Sequence, residues 1–441
     1  MNFSDYKTHY ISTLQLGWPI VVGQLGTVVL SVADTLMIGH HSTSELAASS
    51  FVNNVLNMVI MFGTGFSYGL TPLIGKLYGQ GDVHGVGQAL RSSLIANMLM
   101  SILMLIIMVS IGVFVHRMGQ PSELISLIRS YLFLLTASLP LIMIFNAYKN
   151  AADAVRQTSI GMWIMVAGNA LNIGLNYVLI NGCGPIPELG LIGAGWATII
   201  ARILMTLSII IYFQTSSHLC IFTNGLHSPT NWQIILKLNK IGWPIALQLG
   251  METAAFSLSS VMMGWIGKLA LAAHQVLITL STVTFMIFYG IGAAVSIRVS
   301  NFNGQGDNVS LHRAAHAGFH IIVFIAFVLC VCMAIGRQCI GRFFSNDADV
   351  VQLVAILMMP MLAYQIGDGL QVNYANALRG IADVKAMAVI AFVAYFVVSL
   401  PIGYLMAFRA NLGALGVWMA FPFGLTTAGI LYMYRFEKYK L

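Results

Sequence analysis

The chain has 441 residues, of which 58% are hydrophobic and 8% are charged, and its formal net charge is +7. Soluble globular domains carry about 25% charged residues, so this composition excludes them and indicates a membrane protein.

Apolar stretches of about 20 residues, the length that crosses a ~30 Å hydrocarbon core, predict twelve transmembrane helices. They begin near residues 13, 46, 88, 128, 159, 190, 238, 269, 312, 351, 385 and 412. These helices and their short loops use nearly the whole chain, which leaves no room for a soluble catalytic or nucleotide-binding domain. We therefore expect an all-α polytopic protein that lies in a lipid bilayer.

The Lys and Arg residues indicate the orientation of the chain. With both termini in the cytoplasm, 14 of these residues lie inside and six lie outside, which is the bias of the positive-inside rule. The first twelve residues lack the basic start, short apolar core and cleavage site of a secretory signal, so the first stretch is interpreted as a membrane helix. The positive charge is interpreted as a topology signal, and no nucleic-acid partner is expected.

The first predicted helix carries a polar stripe that contains a carboxylate. At 100° per residue, its members fall within an arc of about 80°. They are Gln24, Thr27, Ser31 and Asp34. A carboxylate inside a membrane helix costs about 2.5 to 3.5 kcal/mol on insertion scales, so Asp34 is a functional candidate. The second predicted helix adds Asn53 and Asn57 to the polar lining, although such neutral groups also serve as hydrogen bonds between neighbouring helices.

One arginine lies inside a predicted helix rather than at its end. Arg202 is about twelve residues into the sixth helix. It is interpreted in three ways: it pairs with a carboxylate, it snorkels along the helix, or it donates hydrogen bonds to carbonyl groups of a broken helix. The sequence does not choose among these. The five cysteines are odd in number and show no metal-ligand spacing, so neither a disulfide framework, a structural metal nor a cofactor is expected.

Two further carboxylates lie inside predicted helices of the second half. Glu252 in the seventh helix shares a face with Gln248 and Ser259, within about 40°. Asp368 in the tenth helix shares a face with Tyr364 and Gln371, within about 60°. Unpaired acids in membrane helices usually mark an ion or substrate path, so both are functional candidates.

The chain contains an internal duplication. Gly-Trp-Pro-Ile occurs at residues 17–20 and 242–245, and Gly-Gln-Gly-Asp occurs at 79–82 and 304–307, both with a separation of 225. The repeat predicts two six-helix lobes, residues 1–214 and 241–441, related by a pseudo-two-fold axis along the membrane normal and joined by a cytoplasmic linker at 215–240. Twin lobes suit a transporter that works by alternating access. None of the three acids is copied between the lobes.

Several motifs together resemble the multidrug and toxic compound extrusion (MATE) transporters over essentially the whole chain. They are LGWPI followed by VADTLMIGH, the first GQGD, NALNIGLNYVLI leading to LGLIGAGWAT, and ALAAHQV. The Asp of the first helix, the Glu of the seventh and the Tyr-x-x-x-Asp of the tenth are similar to the bacterial NorM-type branch. The resemblance implies export of organic, often cationic, drugs across the bacterial inner membrane, driven by inward flow of Na⁺ or H⁺. We expect a monomer.

The resemblance also implies roles for particular residues. Four positions match the amino-terminal-lobe cation site of the family, namely Asp34, Asn172, Asn176 and Thr198. Three positions match the carboxy-terminal-lobe site, where the coupling cation or drug binds, namely Glu252, Tyr364 and Asp368. Na⁺ or H⁺ is the ion expected at these sites. Asn172 and Asn176 are four residues apart, so their amide oxygens share a helix face and suit a hard cation.

Other classes of protein remain as alternatives. A flippase for a lipid-linked saccharide would share the duplicated architecture, but its cavity is expected to carry Arg or Lys for pyrophosphate, and only Arg202 offers that. An enzyme is not expected, since the sequence has no His-Glu-x-x-His, no Gly-x-Ser-x-Gly and no phosphate loop. A receptor or channel would not require two matched lobes.

Overall fold

The structure is a computed structural model that describes residues 3–119, 121–182, 187–345 and 347–439, with residues 3–5 described by their backbone alone. Within these ranges the chain is helical and forms no β-strand. The first nine helices are α1 (Phe3–His41), α2 (Thr43–Ser67), α3 (Leu70–Gly79), α4 (Val83–Phe114), α5 (Ser122–Ala137), α6 (Leu139–Ala154), α7 (Thr158–Asn181), α8 (Gly190–Thr215) and α9 (Thr223–Leu226). The others are α10 (Trp232–Ile266), α11 (Lys268–Gln305), α12 (Asn308–Phe344), α13 (Ala348–Gly380), α14 (Val384–Phe392), α15 (Leu400–Tyr404) and α16 (Gly413–Glu437).

The twelve predicted membrane helices are confirmed. In the described part of the chain, twelve helical segments are long and apolar enough to cross a membrane. Four of these segments are composite: α2 continues into α3, α5 continues into α6, a 3₁₀ turn at Val115–Arg117 follows α4, and π-helical turns at Val393–Ser399 and Leu405–Arg409 flank α15. A helix is favoured here because lipid offers no partners for backbone N–H and C=O groups, which must therefore bond within the segment.

The repeated Gly-Gln-Gly-Asp segments build the same helix junction twice. Gly81 and Gly306 both have φ of +76°, the left-handed conformation that ends a helix and that glycine adopts without a steric penalty. The next residue then starts the following helix: Asp82 accepts a hydrogen bond from the Gly85 amide at 2.8 Å, and Asp307 accepts one from the Ser310 amide at 2.9 Å. The repeated motif therefore supplies the same two signals twice: a glycine that ends one helix and an aspartate that caps the start of the next.

One compact unit of the chain consists of residues Val22–Ala246. Its apolar core contains buried side chains of α2, α4, α5 and α6, among them Val52, Met104, Leu132 and Met143. The cavity described below lies inside this unit. The sequence from 215 to 240 belongs to it as well, and α10 already begins at Trp232 within that stretch.

The other compact unit consists of Met1–Val21 and Leu247–Leu441. Its core is formed around Trp418 and Tyr364, which are buried and stack with ring centroids 6.3 Å apart. The division of the chain passes through α1 and α10 shortly after Pro19 and Pro244, the two prolines of the repeat, each of which lies inside its helix. Four cysteines are free thiols, namely Cys220, Cys330, Cys332 and Cys339, and Cys183 lies outside the described residues.

Candidate cation and substrate sites

A cavity of about 370 Å³ lies within the unit Val22–Ala246. The polar stripe of α1 forms part of its wall, together with polar residues of α2, α7 and α8. Its wall includes the predicted residues Gln24, Thr27, Ser31, Asp34, Asn53, Asn57, Asn172 and Thr198. The helical periodicity of the sequence thus places these side chains around one space, whose volume is in the range of small-molecule sites.

A chain of hydrogen bonds connects Asp34 to the back of this cavity. Asn176 Nδ2 donates to Asp34 Oδ1 at 2.5 Å and to Asn172 Oδ1 at 2.8 Å. Asn172 Nδ2 in turn donates to Thr198 Oγ1 at 3.3 Å, and the Thr198 hydroxyl donates to the Ala194 carbonyl at 3.0 Å. The structure therefore brings together the four residues that match the amino-terminal-lobe site.

In the side-chain amide of Asn176, the nitrogen makes hydrogen bonds to described residues but the oxygen does not. Its nitrogen makes the two bonds above, whereas its Oδ1 atom is buried and has no hydrogen-bond partner in the described part of the chain. A buried acceptor without a donor is costly, and a hard cation satisfies such oxygens well. Asn176 Oδ1 and the Asp34 carboxylate are thus the atoms of this unit best suited to hold Na⁺, and Asp34 is the member that can take a proton instead.

Arg202 lines the same cavity from α8. Its guanidinium donates a hydrogen bond to the hydroxyl of Ser138, which lies at the break between α5 and α6. No carboxylate oxygen of the described residues lies within 4.0 Å of the Arg202 guanidinium nitrogens. Asp34 is therefore not locked in a direct ion pair with Arg202. The observed hydrogen-bond partner is a hydroxyl group, rather than the carboxylate or the helix carbonyl named by two of the three interpretations drawn from the sequence.

A buried ion pair in α6 was missed by the sequence reasoning. Lys149 Nζ lies 2.8 Å from Asp153 Oδ2, and both residues are nearly inaccessible, with 9% and 5% of their surfaces exposed. Lys149 also lines the cavity. The two residues lie in the last turns of α6, where charges of a membrane helix usually face water, but they are inside the protein. The spacing i, i+4 of opposite charges was the signal that pointed to a pair.

A second polar cluster lies in the unit that contains Leu247–Leu441. Gln248 Nε2 donates to Glu252 Oε2 at 3.0 Å, and Gln371 Nε2 approaches the same oxygen at 3.4 Å. All three side chains are buried. The Oε1 atoms of Gln248 and Gln371 have no partner among the described residues. The cluster thus offers one carboxylate and two uncommitted amide oxygens, a ligand set that fits a hard cation or a proton on Glu252.

The other predicted residues of this unit have different surroundings. Asp368 is buried, lies three residues before Gln371 on α13, and makes no hydrogen bond to any described residue. Tyr364 shares a hydrogen bond with the Ser281 hydroxyl of α11. Ser259 donates to the Ala255 carbonyl of its own helix at 2.9 Å. The structure therefore places Asp368 beside the Glu252 cluster. The hydroxyl groups of Tyr364 and Ser259 bond instead to Ser281 and to the Ala255 carbonyl.

Twelve apolar helices, an internal repeat and buried carboxylates along polar helix faces define a membrane transporter rather than an enzyme. The MatE family model matches residues 19–178 and again residues 244–405, so the two matches begin at Pro19 and Pro244. The chain belongs to this family, and the sequence resemblance to its NorM-type members is confirmed by the relatives that follow.

Two curated relatives match nearly the whole chain. The probable multidrug resistance protein NorM of Bradyrhizobium diazoefficiens is 31% identical over 97% of this chain and 93% of its own length. The protein of the same name from Mannheimia succiniciproducens is 29% identical over 99% of this chain and 95% of its own length.

Solved structures of MATE transporters share the fold. The eukaryotic transporter AtDTX14 has a TM-score of 0.90 at 19% identity, and the match covers 98% of this chain and 96% of that one. A variant of VcmN from Vibrio cholerae has a TM-score of 0.89 at 16% identity, covering 99% and 98% of the two chains. At these identities the likeness is one of fold.

Proposed function

We propose that the chain is a cation-coupled antiporter that exports organic, cationic compounds by alternating access, with Na⁺ or H⁺ as the driving ion. The names of the relatives, multidrug resistance proteins, support cargo of varied structure. The observation that carries the proposal is that each unit holds a carboxylate next to an unpartnered, buried amide oxygen: Asp34 beside Asn176, and Glu252 beside Gln248.

Exchange follows if the ion and the organic guest compete for the same carboxylates. An empty, charged carboxylate in a low-dielectric wall is unfavourable, so Asp34 is stable when it holds a proton, Na⁺ or the positive group of a guest. The cavity beside Asp34 has room for an organic molecule. Binding of the ion therefore releases the guest, and binding of the guest releases the ion. The chain changes conformation only when one of them neutralises the Asp34 carboxylate.

The Glu252 cluster serves as the ion site of the other unit. Glu252 accepts hydrogen bonds from two amides whose oxygens remain free, and Asp368 lies one helical turn from Gln371. These oxygens are ligands for Na⁺, and the two carboxylates are bases for H⁺. Neutralising them removes the cost of buried charge, so occupation by the ion favours the next step of the cycle.

A flippase for a lipid-linked saccharide remains the second candidate from the sequence, and the cavity disfavours it. Pyrophosphate requires several uncommitted cations, whereas Lys149 is already paired with Asp153 at 2.8 Å. That leaves Arg202 as the cation of the lining without a carboxylate partner among the described residues. We also place the protein in the bacterial inner membrane as a monomer with both termini in the cytoplasm.

Everted membrane vesicles test this function. Vesicles that contain the protein are loaded with the fluorescent cation rhodamine 123 under an imposed Na⁺ gradient, an imposed pH gradient, or neither. We expect accumulation with one of the gradients and none without. Transfer of a labelled polyprenyl-linked saccharide, with no gradient-driven accumulation of the dye, would support the flippase instead.

A further inference from the structure

His41 joins two carboxylates at the junction of α1 and α2. Its Nδ1 atom lies 2.7 Å from Glu45 Oε2, and its Nε2 atom lies 2.7 Å from Glu188 Oε1. A neutral imidazole carries one N–H group, so it donates to one of these oxygens and turns a lone pair toward the other. An imidazolium carries an N–H group on both nitrogens and donates to both oxygens. The geometry therefore fits the protonated form of His41.

The ends of the two helices favour the same charges. His41 is the last residue of α1, and Glu45 lies in the first turn of α2. The C-terminal end of a helix favours a cation, and the N-terminal end of a helix favours an anion. The side chains of His41 and Glu45 are 18% and 15% exposed, so solvent screens this pair less than a fully exposed one. Helix position and partial burial thus stabilise the charged pair.

Glu188 connects this pair to the start of α8. It lies two residues before Gly190, the first residue of α8. Gly190 has a φ of +54° and packs directly on Glu45, because a Cβ atom at this position would lie 2.4 Å from Glu45 Oε1. The left-handed backbone and the close approach both favour glycine here. The first turn of α8 therefore lies against the carboxylate of Glu45.

The three side chains form one titratable cluster. Among the described residues, the ionisable groups that act on His41 are Glu45 of α2 and Glu188 of the segment before α8. On α1 itself, His40 is the neighbouring residue, and Asp34 lies seven residues earlier, which is about 10 Å along the same helix face. His41, Glu45 and Glu188 are separate from the cavity lining described above. The cluster is thus a second group of ionisable side chains in the unit Val22–Ala246.

We propose that His41, Glu45 and Glu188 form a proton-binding site that acts as a latch between the start of α8 and the junction of α1 and α2. A proton on His41 gives both carboxylates a donor and closes the latch. Without that proton, the remaining N–H group stays with the partly buried Glu45, and Glu188, which is 64% exposed, turns into water.

The latch acts on a helix that forms part of the cavity wall. α8 carries Thr198 and Arg202, which line the cavity, so fixing its first turn holds these side chains in place relative to α1. The inference goes beyond the proposed export function, because it does not depend on the ion or the compound that is transported.

Hydrogen exchange at residues 187–193 measures the latch in the purified full-length protein. Protection of the backbone amides, corrected for the intrinsic exchange rate, is compared at about pH 5.5 and about pH 9.5, on either side of the range in which histidine titrates. In the parent we expect protection to fall about threefold at the higher pH, because ion pairs with an exposed partner contribute modestly. Equal protection at both pH values would overturn the proposal.

Two variants of His41 should fix the latch in opposite states. His41→Arg carries a charge and several donors at both pH values, so protection stays high in both. His41→Phe keeps a planar ring without a donor, so protection stays low in both. His40→Phe changes the neighbouring exposed histidine and should keep the pH dependence of the parent. A pH dependence that survives in His41→Phe, or that is lost in His40→Phe, contradicts the proposal.

A variant of Glu188 guards against a loss of fold in His41→Phe. Glu188→Ala changes an exposed side chain and leaves the His41–Glu45 pair intact, so the protein should fold normally. Protection at residues 187–193 should nevertheless be low at both pH values. Parent-like pH dependence in Glu188→Ala would also refute the latch.

The vesicle assay is independent of this measurement. If a gradient drives rhodamine 123 into vesicles while residues 187–193 show no His41-dependent change with pH, the antiporter stands and the latch falls. If the change with pH depends on His41 but no gradient drives the dye, the latch stands and the antiporter falls.

Discussion

The side-chain amide of Asn176 donates a hydrogen bond of 2.5 Å to the carboxylate of Asp34 and so ties α7 to α1. This contact neutralises no charge, because an amide is a dipole. It orients the carboxylate and leaves Asn176 Oδ1 buried beside it without a partner. The pair therefore forms half of a cation site, which an ion, a proton or the positive group of a guest completes.

Asn176→Asp places a second carboxylate against Asp34. Two touching carboxylates do not both remain charged and unpaired, so the variant is expected to bind one more proton or Na⁺ than the parent. The measurement is the thermal unfolding midpoint in detergent as a function of Na⁺ concentration, which should rise more steeply in the variant. Asn181→Asp, at the end of the same helix and bonded to the Tyr177 carbonyl, is the control. Equal Na⁺ dependence in all three proteins would rule out a Na⁺ site at Asp34 and residue 176.

Replacing either glutamine beside Glu252 should weaken binding of the coupling ion. The effect should be larger for the glutamine with the shorter hydrogen bond to Glu252. Gln248→Leu removes the donor at 3.0 Å and Gln371→Leu the donor at 3.4 Å, and each also removes an uncommitted oxygen. Hydrogen bonds to charged groups contribute about 1.5–3 kcal/mol, so the ion concentration for half-maximal export should rise about tenfold or more, and most for Gln248. Ser259→Ala, which loses a bond within its own helix, should resemble the parent. A larger effect in Ser259→Ala would refute this ordering.

The length of the apolar stretches was enough to predict the twelve helices, and the cost of a charge in a membrane helix selected Asp34, Glu252 and Asp368 as candidates. Charges in a membrane chain concentrate in loops, so the few exceptions stand out. The same rule does not single out Lys149 and Asp153, because they lie in the last turns of α6, although the structure buries them as an ion pair. The hydrogen bond between Tyr364 and Ser281 and that from Arg202 to Ser138 could not be predicted, because each depends on how separate helices pack.

Removing one partner of the Lys149–Asp153 ion pair should destabilise the protein more than removing both. Lys149→Met leaves the Asp153 carboxylate buried alone, and removing one partner of a buried pair typically costs about 3–5 kcal/mol. The double variant Lys149→Met with Asp153→Leu removes both charges and should recover much of the lost thermal stability. A single variant as stable as the parent, or a double variant less stable than the single one, would contradict this account of the pair.

The N-cap at the second Gly-Gln-Gly-Asp segment predicts a pH effect outside the membrane helices. Hydrogen bonds from Ser310, first from its side chain and then from its amide, hold the pKa of Asp307 below its usual value of 3.8. A lowered native pKa stabilises the fold above the usual value, and this contribution is lost as the pH falls through the lowered one. Asp307→Ala should cost about 1 kcal/mol near neutrality. Asp307→Asn keeps the cap without a titratable group, so its difference from the parent should shrink as the pH falls below 3.8 and vanish below the lowered pKa.

The measurement closest to the central claim is gradient-driven dye accumulation by three single variants in everted vesicles. Asp34→Asn, Glu252→Gln and Asp368→Asn each remove one ionisable carboxyl group from a membrane helix with little change in shape. Western blots and size-exclusion profiles confirm that each variant reaches the membrane and folds. If ion and guest exchange on these carboxylates, at least one variant accumulates no rhodamine 123 under the gradient that drives the parent. Full gradient-driven accumulation by all three variants would contradict the account.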